Sequence, residues 1–139
     1  MNYTNKILII DDSESSATYL MGLLSDCNYK VMCVHNGKDA LKKARSQQFD
    51  LILLDFVMPD MNGLDVCRAL KKIPSIKDVP VVFLTANHSE ELLIQAFNAG
   101  AVDFVTKPYN VSELMARVKT QLSLVESLRK IYWLLLMIF

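Results

Sequence analysis

Asp50-Leu51-Ile52-Leu53-Leu54-Asp55 is the stretch on which the fold turns. Four consecutive large aliphatic residues without polar alternation describe a strand covered on both faces, as inside a parallel sheet. The same design repeats outward from it. Ile7-Leu8-Ile9-Ile10 runs into Asp11-Asp12, Val81-Val82-Phe83-Leu84 into Thr85, and Phe104-Val105-Thr106 into Lys107-Pro108. A fifth run, Lys30-Val31-Met32-Cys33-Val34, ends on nothing reactive. Ligands of an open parallel sheet bind beyond the carboxyl ends of its strands. Three carboxylates, a hydroxyl and an amine are therefore expected on one sheet edge.

Between these runs the apolar residues follow a helical period. Ala17, Leu20, Met21 and Leu24 share one face of a segment from Ser13 to Cys27. Asn36 opens a second helix carrying Ala40, Leu41 and Ala44, and Gly63 a third carrying Leu64, Val66, Cys67 and Leu70, stopped before Pro74. Ser89 to Ala99 reads as a fourth, closed by Gly100, the usual left-handed residue after a helix. Asn110-Val111-Ser112-Glu113 has capping-box spacing and opens a fifth. The pattern is a single (βα)₅ unit of the α/β class, doubly wound, because right-handed crossovers place helices on both faces of a parallel sheet.

The composition fits this reading. The chain has 139 residues, of which 52% are hydrophobic, enough for one domain with one core. Lys+Arg and Asp+Glu balance at 15 each, so no basic surface argues for direct nucleic-acid binding. Cys27, Cys33 and Cys67 have no metal-like spacing and read as reduced thiols of a cytoplasmic protein. The opening Met1-Asn2-Tyr3-Thr4-Asn5 is polar and unlike a signal peptide.

The chemistry follows from the gathered residues. Carboxylates as close as Asp11, Asp12 and Asp55 repel one another, and a hard divalent cation relieves that repulsion. A carboxylate can also attack phosphorus to give an aspartyl phosphate, provided that cations balance the charge. Lys107 can supply one such charge, Thr85 a hydroxyl for a phosphate oxygen, and the small Ala86 leaves room. His35 and His88 fall outside every motif and read as ordinary surface residues.

With those residues in place, the chain resembles the receiver domain of bacterial two-component response regulators. The likeness is carried by Ile7 to Ser13, by Asp50-Leu51-Ile52-Leu53-Leu54-Asp55-Phe56-Val57-Met58-Pro59-Asp60-Met61-Asn62-Gly63, by Val81 to Ala86 and by Ala99 to Pro108. It extends over roughly residues 4 to 125 in order. It implies the flavodoxin-like strand order 2-1-3-4-5. It also implies a signalling switch rather than a turnover enzyme, phosphorylated by a sensor histidine kinase or a histidine phosphotransfer protein. Asp55 would be the phosphoacceptor. Mg²⁺ would be held by Asp12 and Asp55, by Asp11 largely through water, and by the backbone carbonyl of Val57. Thr85 and Phe104 would form the switch pair, and Lys107 would contact the phosphate ahead of a cis bond to Pro108. Tyr109 stands where Phe is commoner. Asp103 and Arg117 match a pair that helps some relatives dimerise, and Val102 stands where those relatives often have a second acid. Relatives that dephosphorylate fast carry polar side chains at the positions of Val57 and Asn87, so Val57 implies a long-lived phosphate.

Two other phosphate-handling folds fit less well. A haloacid-dehalogenase-type hydrolase needs a second acid two residues after its nucleophile, where Val57 stands, and places its acidic pair late in the chain. In a flavin module of the same topology, Asp11 and Asp12 would repel the cofactor phosphate.

The sequence divides into the domain, residues 1–125, and an apolar helical extension or linker, residues 126–139. Leu114, Val118, Leu122, Val125, Leu128, Tyr132 and Leu135 keep a spacing of three and four, predicting one helix from about Ser112 to about Met137. The seam Val125-Leu128-Tyr132-Leu135-Phe139 suits a homodimeric helix pair. The run Ile131 to Phe139 is too short to span a bilayer, which takes about 20 residues, so a membrane is not an expected partner.

Overall fold

The computed structural model describes residues 4–87 and 89–138. Five strands alternate with five helices: β1 Lys6–Ile10, α1 Glu14–Ser25, β2 Lys30–Val34, α2 Gly37–Ser46, β3 Leu51–Asp55, α3 Gly63–Lys71, β4 Val81–Thr85, α4 Glu90–Asn98, β5 Asp103–Thr106 and α5 Val111–Ile138. All pairings are parallel and the sheet order is β2-β1-β3-β4-β5. This is the doubly wound arrangement that the alternating runs dictate. Its register sets Ile10 beside Leu54, Asp55 beside Leu84 and Thr85 beside Thr106, so the strand ends carrying reactive groups are level.

Burial on both faces holds for β1, β3 and β4 but not for the two edges. Every residue of β3 and β4 is buried, whereas Lys30 of β2 is exposed and Val31, Met32 and Cys33 are only half-buried. An edge strand has a neighbour on one side only, so its flanking helices cover it incompletely. Two apolar clusters fill the two sides of the sheet. One joins Leu8, Ile10, Ile52, Leu54 and Phe83 to α2 and α3, and the other joins Ile7, Ile9, Leu51, Leu53 and Leu84 to α1 and α5.

Each helix starts on a side chain that satisfies one of its free backbone donors. Ser13 accepts from Ser16 N, Asn36 from Asp39 N, Asn62 from Asp65 N, Ser89 from Leu92 N and Asn110 from Glu113 N. Two helices stop earlier than their apolar spacing predicts. α1 ends at Ser25, because Asn28 turns into the left-handed region at φ 65°. α3 ends at Lys71, because the turn toward Pro74 begins there. Gly63 is required by proximity: a Cβ there would lie 2.8 Å from the Phe56 carbonyl oxygen and 2.9 Å from that of Asp55. The start of α3 is thus pressed against the end of β3. Gly100 follows α4 at φ 109°, as its position predicts.

Charge is divided between the two edges of the sheet. Asp11, Asp12, Asp55 and Asp60 stand at or beyond the strand C-termini, and Glu14, Asp39, Asp65, Glu90, Glu91 and Glu113 stand in first helical turns. Acids there complement the helix dipoles. These are ten of the fifteen carboxylates, and of the fifteen Lys+Arg only Lys38 and Lys107 join them. The neutral chain therefore leaves thirteen cations against five carboxylates elsewhere.

α5 runs antiparallel to the strands and leaves by their N-terminal edge, opposite the acids. Its last fully buried residue is Leu122. Arg129 then reaches Asp50, just ahead of β3, with Nη2 2.5 Å from Oδ1; the same carboxylate accepts from Lys6 N at 2.8 Å. The seam expected to face a partner copy borders a cleft on the chain's own body while staying largely exposed, Leu128 at 65% and Tyr132 at 63%. Val125, Leu128, Tyr132 and Leu135 line a cleft of about 760 Å³ with Phe49, Asp50 and Val79. No helix among the described residues is long and apolar enough to cross a membrane.

Candidate functional site

The reactive residues of four strand ends meet as the sequence predicts. Asp11 follows β1, Asp55 closes β3, Thr85 closes β4 and Lys107 follows β5. Carboxylate oxygens of Asp11, Asp12 and Asp55 all lie within 4.8 Å of one another. Asp11 and Asp55 are buried and Asp12 is exposed, so the cluster opens to solvent on one side only. Lys107 Nζ stands 3.6 Å from Asp11 Oδ2 and 3.4 Å from Asp55 Oδ2.

The donor set leaves an oxygen unsatisfied. Asp11 Oδ1 accepts from Ser13 N at 2.9 Å, but Asp11 Oδ2 is buried without a hydrogen-bond partner. Buried oxygens of a charged group are costly unless bonded or near a cation. Three clustered carboxylates, two of them paired with Lys107, fit a hard divalent ion such as Mg²⁺. Asp55 itself receives one backbone donor, Val57 N at 3.4 Å. Burial pushes the Asp55 carboxyl up to about 6; Lys107 opposes this and Asp11 adds to it. At Lys107, burial disfavours the charge, but Tyr109, Asp55 and Asp11 more than offset it and the ammonium is held above its ordinary range.

A cleft of about 790 Å³ lies beside the acids, bordered by Asp55, Val57, Thr85, Ala86, Asn87 and Lys107. Thr85 is buried; its hydroxyl accepts from Asn87 N at 3.0 Å and donates to Asn87 O at 3.2 Å. The Lys107 backbone N–H donates to Thr85 O at 2.8 Å, tying the ends of β4 and β5 together, and the Lys107–Pro108 bond is cis. Phe104 lies near the start of β5, three residues before Lys107. Its half-buried ring stands edge-on to Phe97, with centroids 6.5 Å apart, and the Arg117 guanidinium covers it at 6.0 Å. Arg117 also grips both oxygens of Asp103, at 3.0 and 2.9 Å, so this pair closes within the chain.

Two contributors escaped the sequence reading. His35 is exposed, as expected, yet its Nδ1 lies 2.9 Å from the Asp11 carbonyl oxygen and braces the loop after β1. His88 lies outside the described residues. Asp60, in the loop after β3, accepts from the Gly37 and Lys38 N–H groups at 2.9 and 3.0 Å. It thereby fastens the loop beyond Asp55 to the start of α2. A second cap 23 positions away leaves no local sequence signal.

Comparison with known proteins accounts for this geometry. The family model of the response regulator receiver domain matches residues 7–119. The response regulator ArlR of Staphylococcus aureus is 36% identical over 114 residues, covering 82% of this chain and 51% of the relative. The ArlR of Staphylococcus saprophyticus is 35% identical over 117 residues, covering 84% and 52%. The chain thus spans about half the length of these relatives. Among solved structures, the chemotaxis protein CheY4 of Vibrio cholerae superposes with a TM-score of 0.82 at 30% identity, covering 85% of this chain and 98% of that one. The receiver domain of a sensor histidine kinase from Pseudomonas aeruginosa, solved with a magnesium ion coordinated in its active site cleft, gives 0.80 at 26% identity, covering 87% and 99%. The chain, with its 2-1-3-4-5 sheet and its acids beside Lys107, belongs to the response regulator receiver domain family.

Proposed function

We propose that this chain is a phosphorylation-dependent switch that accepts a phosphoryl group on Asp55 from the phosphohistidine of a sensor kinase or phosphotransfer protein. The observation that carries the reading is Lys107, poised 3.4 Å from Asp55 and 3.6 Å from Asp11 at the edge of a three-carboxylate cluster. In the transfer an Asp55 oxygen bonds to phosphorus while the phosphorus–nitrogen bond breaks, and the leaving imidazole takes up a proton. Asp11, Asp12, Asp55 and the Val57 carbonyl would hold Mg²⁺, which when bound screens charge on the transferring oxygens. Lys107 adds a fixed positive charge on the other side. Thr85 must give up its bonds to Asn87 to reach a phosphate oxygen, and Ala86 leaves the space. That rearrangement would free Phe104 to move behind it, changing the α4–β5–α5 face.

The domain proper would run to residue 125, with residues 126–139 as a separate extension, and the switch would operate in the cytoplasm, where histidine kinases present their phosphohistidine. The expected homodimer would use the α5 seam, whose Leu128 and Tyr132 stay more than 60% exposed while bordering the cleft. Incubation with acetyl phosphate and Mg²⁺ should add the mass of one phosphate, and Asp55→Asn should abolish it. Labelling of the Asn variant, or labelling in EDTA, would overturn the assignment.

A further inference from the structure

The end of α5 is apolar on every side. Ile131, Tyr132, Trp133, Leu134, Leu135, Leu136, Met137 and Ile138 are each between 49% and 80% exposed. Eight consecutive residues cover more than two turns, so no stripe is distinguished from the rest. Two paired helices bury one seam of each and would leave the other sides in water. A helix apolar all round calls for a medium that surrounds it.

The surface from which this helix emerges has its own character. The strand-N-terminal edge and the adjoining helix ends present exposed Lys30, Arg45, Lys72, Lys77 and Lys130, against exposed Asp26, Asp78 and Glu126. Asp50 is already held by Arg129. Five exposed cations against three exposed acids leave this surface positive, on the side toward which α5 projects. A second copy docked through α5 would bring two such positive surfaces together. Tyr132 and Trp133 follow Arg129 and Lys130 after the single residue Ile131, the order in which charged and amphipathic aromatic residues occur on entering a bilayer.

We propose that the strand-N-terminal edge docks on an anionic lipid bilayer, with the apolar end of α5 seated at the headgroup–acyl boundary and the exposed cations on headgroup phosphates. An apolar insertion and a basic surface are two signals acting together, which is what stable peripheral attachment takes. The acidic site lies on the opposite edge and stays open to a phosphodonor.

Trp133 is the single tryptophan of the chain and reports directly on the tail. The full chain is mixed with vesicles of phosphatidylcholine alone, or with about a third phosphatidylglycerol. Co-sedimentation and a blue shift of Trp133 emission are expected with the anionic vesicles, weaker with the neutral ones and reduced at about 1 M salt. Lys72→Glu with Lys77→Glu should weaken binding about tenfold or more. Leu134→Asp with Met137→Asp should abolish it, while leaving phosphate uptake on Asp55 intact as a control for folding. Failure to bind either vesicle overturns the proposal. So does a blue-shifted Trp133 without lipid together with a doubled mass in sedimentation, because a second copy then covers the tail.

Discussion

In the proposed switch, Val57, two residues after Asp55, would set the lifetime of the phosphate. It is 71% exposed at the mouth of the cleft and offers no hydrogen bond to a water approaching phosphorus in line. A slow loss of phosphate from Asp55 is the expected outcome, with Val57→Asn or Val57→Glu accelerating it about tenfold or more, the size of a single positioning contact. The decay of the phosphorylated mass with time measures this, and a wild-type decay as fast as that of either variant contradicts it. The position of Val57 was legible in the sequence because it is fixed two residues from the acceptor. The state of Thr85 was not: its engagement with Asn87 depends on how the loop after β4 folds back.

At the scale of elements, two long-range fastenings orient the pieces around the site. Asp60 caps α2 from the β3–α3 loop, and the Gly37 and Lys38 N–H groups hold its carboxyl below the usual carboxylate range. A carboxyl depressed in the folded state contributes stability above its unfolded value, near 3.9, and loses it as pH falls through the folded value. Asp60→Asn should therefore flatten the acid limb of a stability–pH curve below about pH 4, and an unchanged limb would show that the bonds carry no free energy. The second fastening is Arg129 on Asp50. Arg129→Ala should cost about 1–2 kcal/mol, since it strips a charge-assisted bond from a buried carboxylate while the guanidinium is partly solvated. Arg129→Lys should recover part of it, and chemical denaturation of both variants measures the difference. The five helix caps that organise the other joints were readable because a cap lies three residues from its target. These two were not, because their partners are 23 and 79 positions apart.

For the molecule as a whole, the sheet gives up local stability at one edge to gather like charges there. In the proposed switch a bound divalent cation would offset that repulsion. Mg²⁺ at about a hundred times its dissociation constant should raise the unfolding free energy by roughly 2.7 kcal/mol. Asp12→Ala should remove most of that gain, and more of it than Asp11→Ala. Without the metal, Asp12→Ala should be no less stable than the wild type, because one repelling charge has gone. A metal-free Asp12→Ala protein that unfolds earlier would make the acid structural instead. Denaturant titrations with Mg²⁺ and with EDTA separate these outcomes.

The sequence by itself determined the alternation of strands and helices, the doubly wound topology and the gathering of Asp11, Asp12, Asp55, Thr85 and Lys107. Buried parallel strands must be continuously apolar, and in-order crossovers leave their reactive ends on one edge, so local pattern and chain order suffice. Only the tertiary structure decided which strands are incompletely covered, which carboxylate oxygen meets Lys107 without a hydrogen bond, how Asp60 and Asp50 are satisfied and which surface α5 leaves by. Each of those depends on the packing of segments distant in the chain. A spacing of three and four names a face of a helix; the body it meets is set by where that helix leaves the sheet.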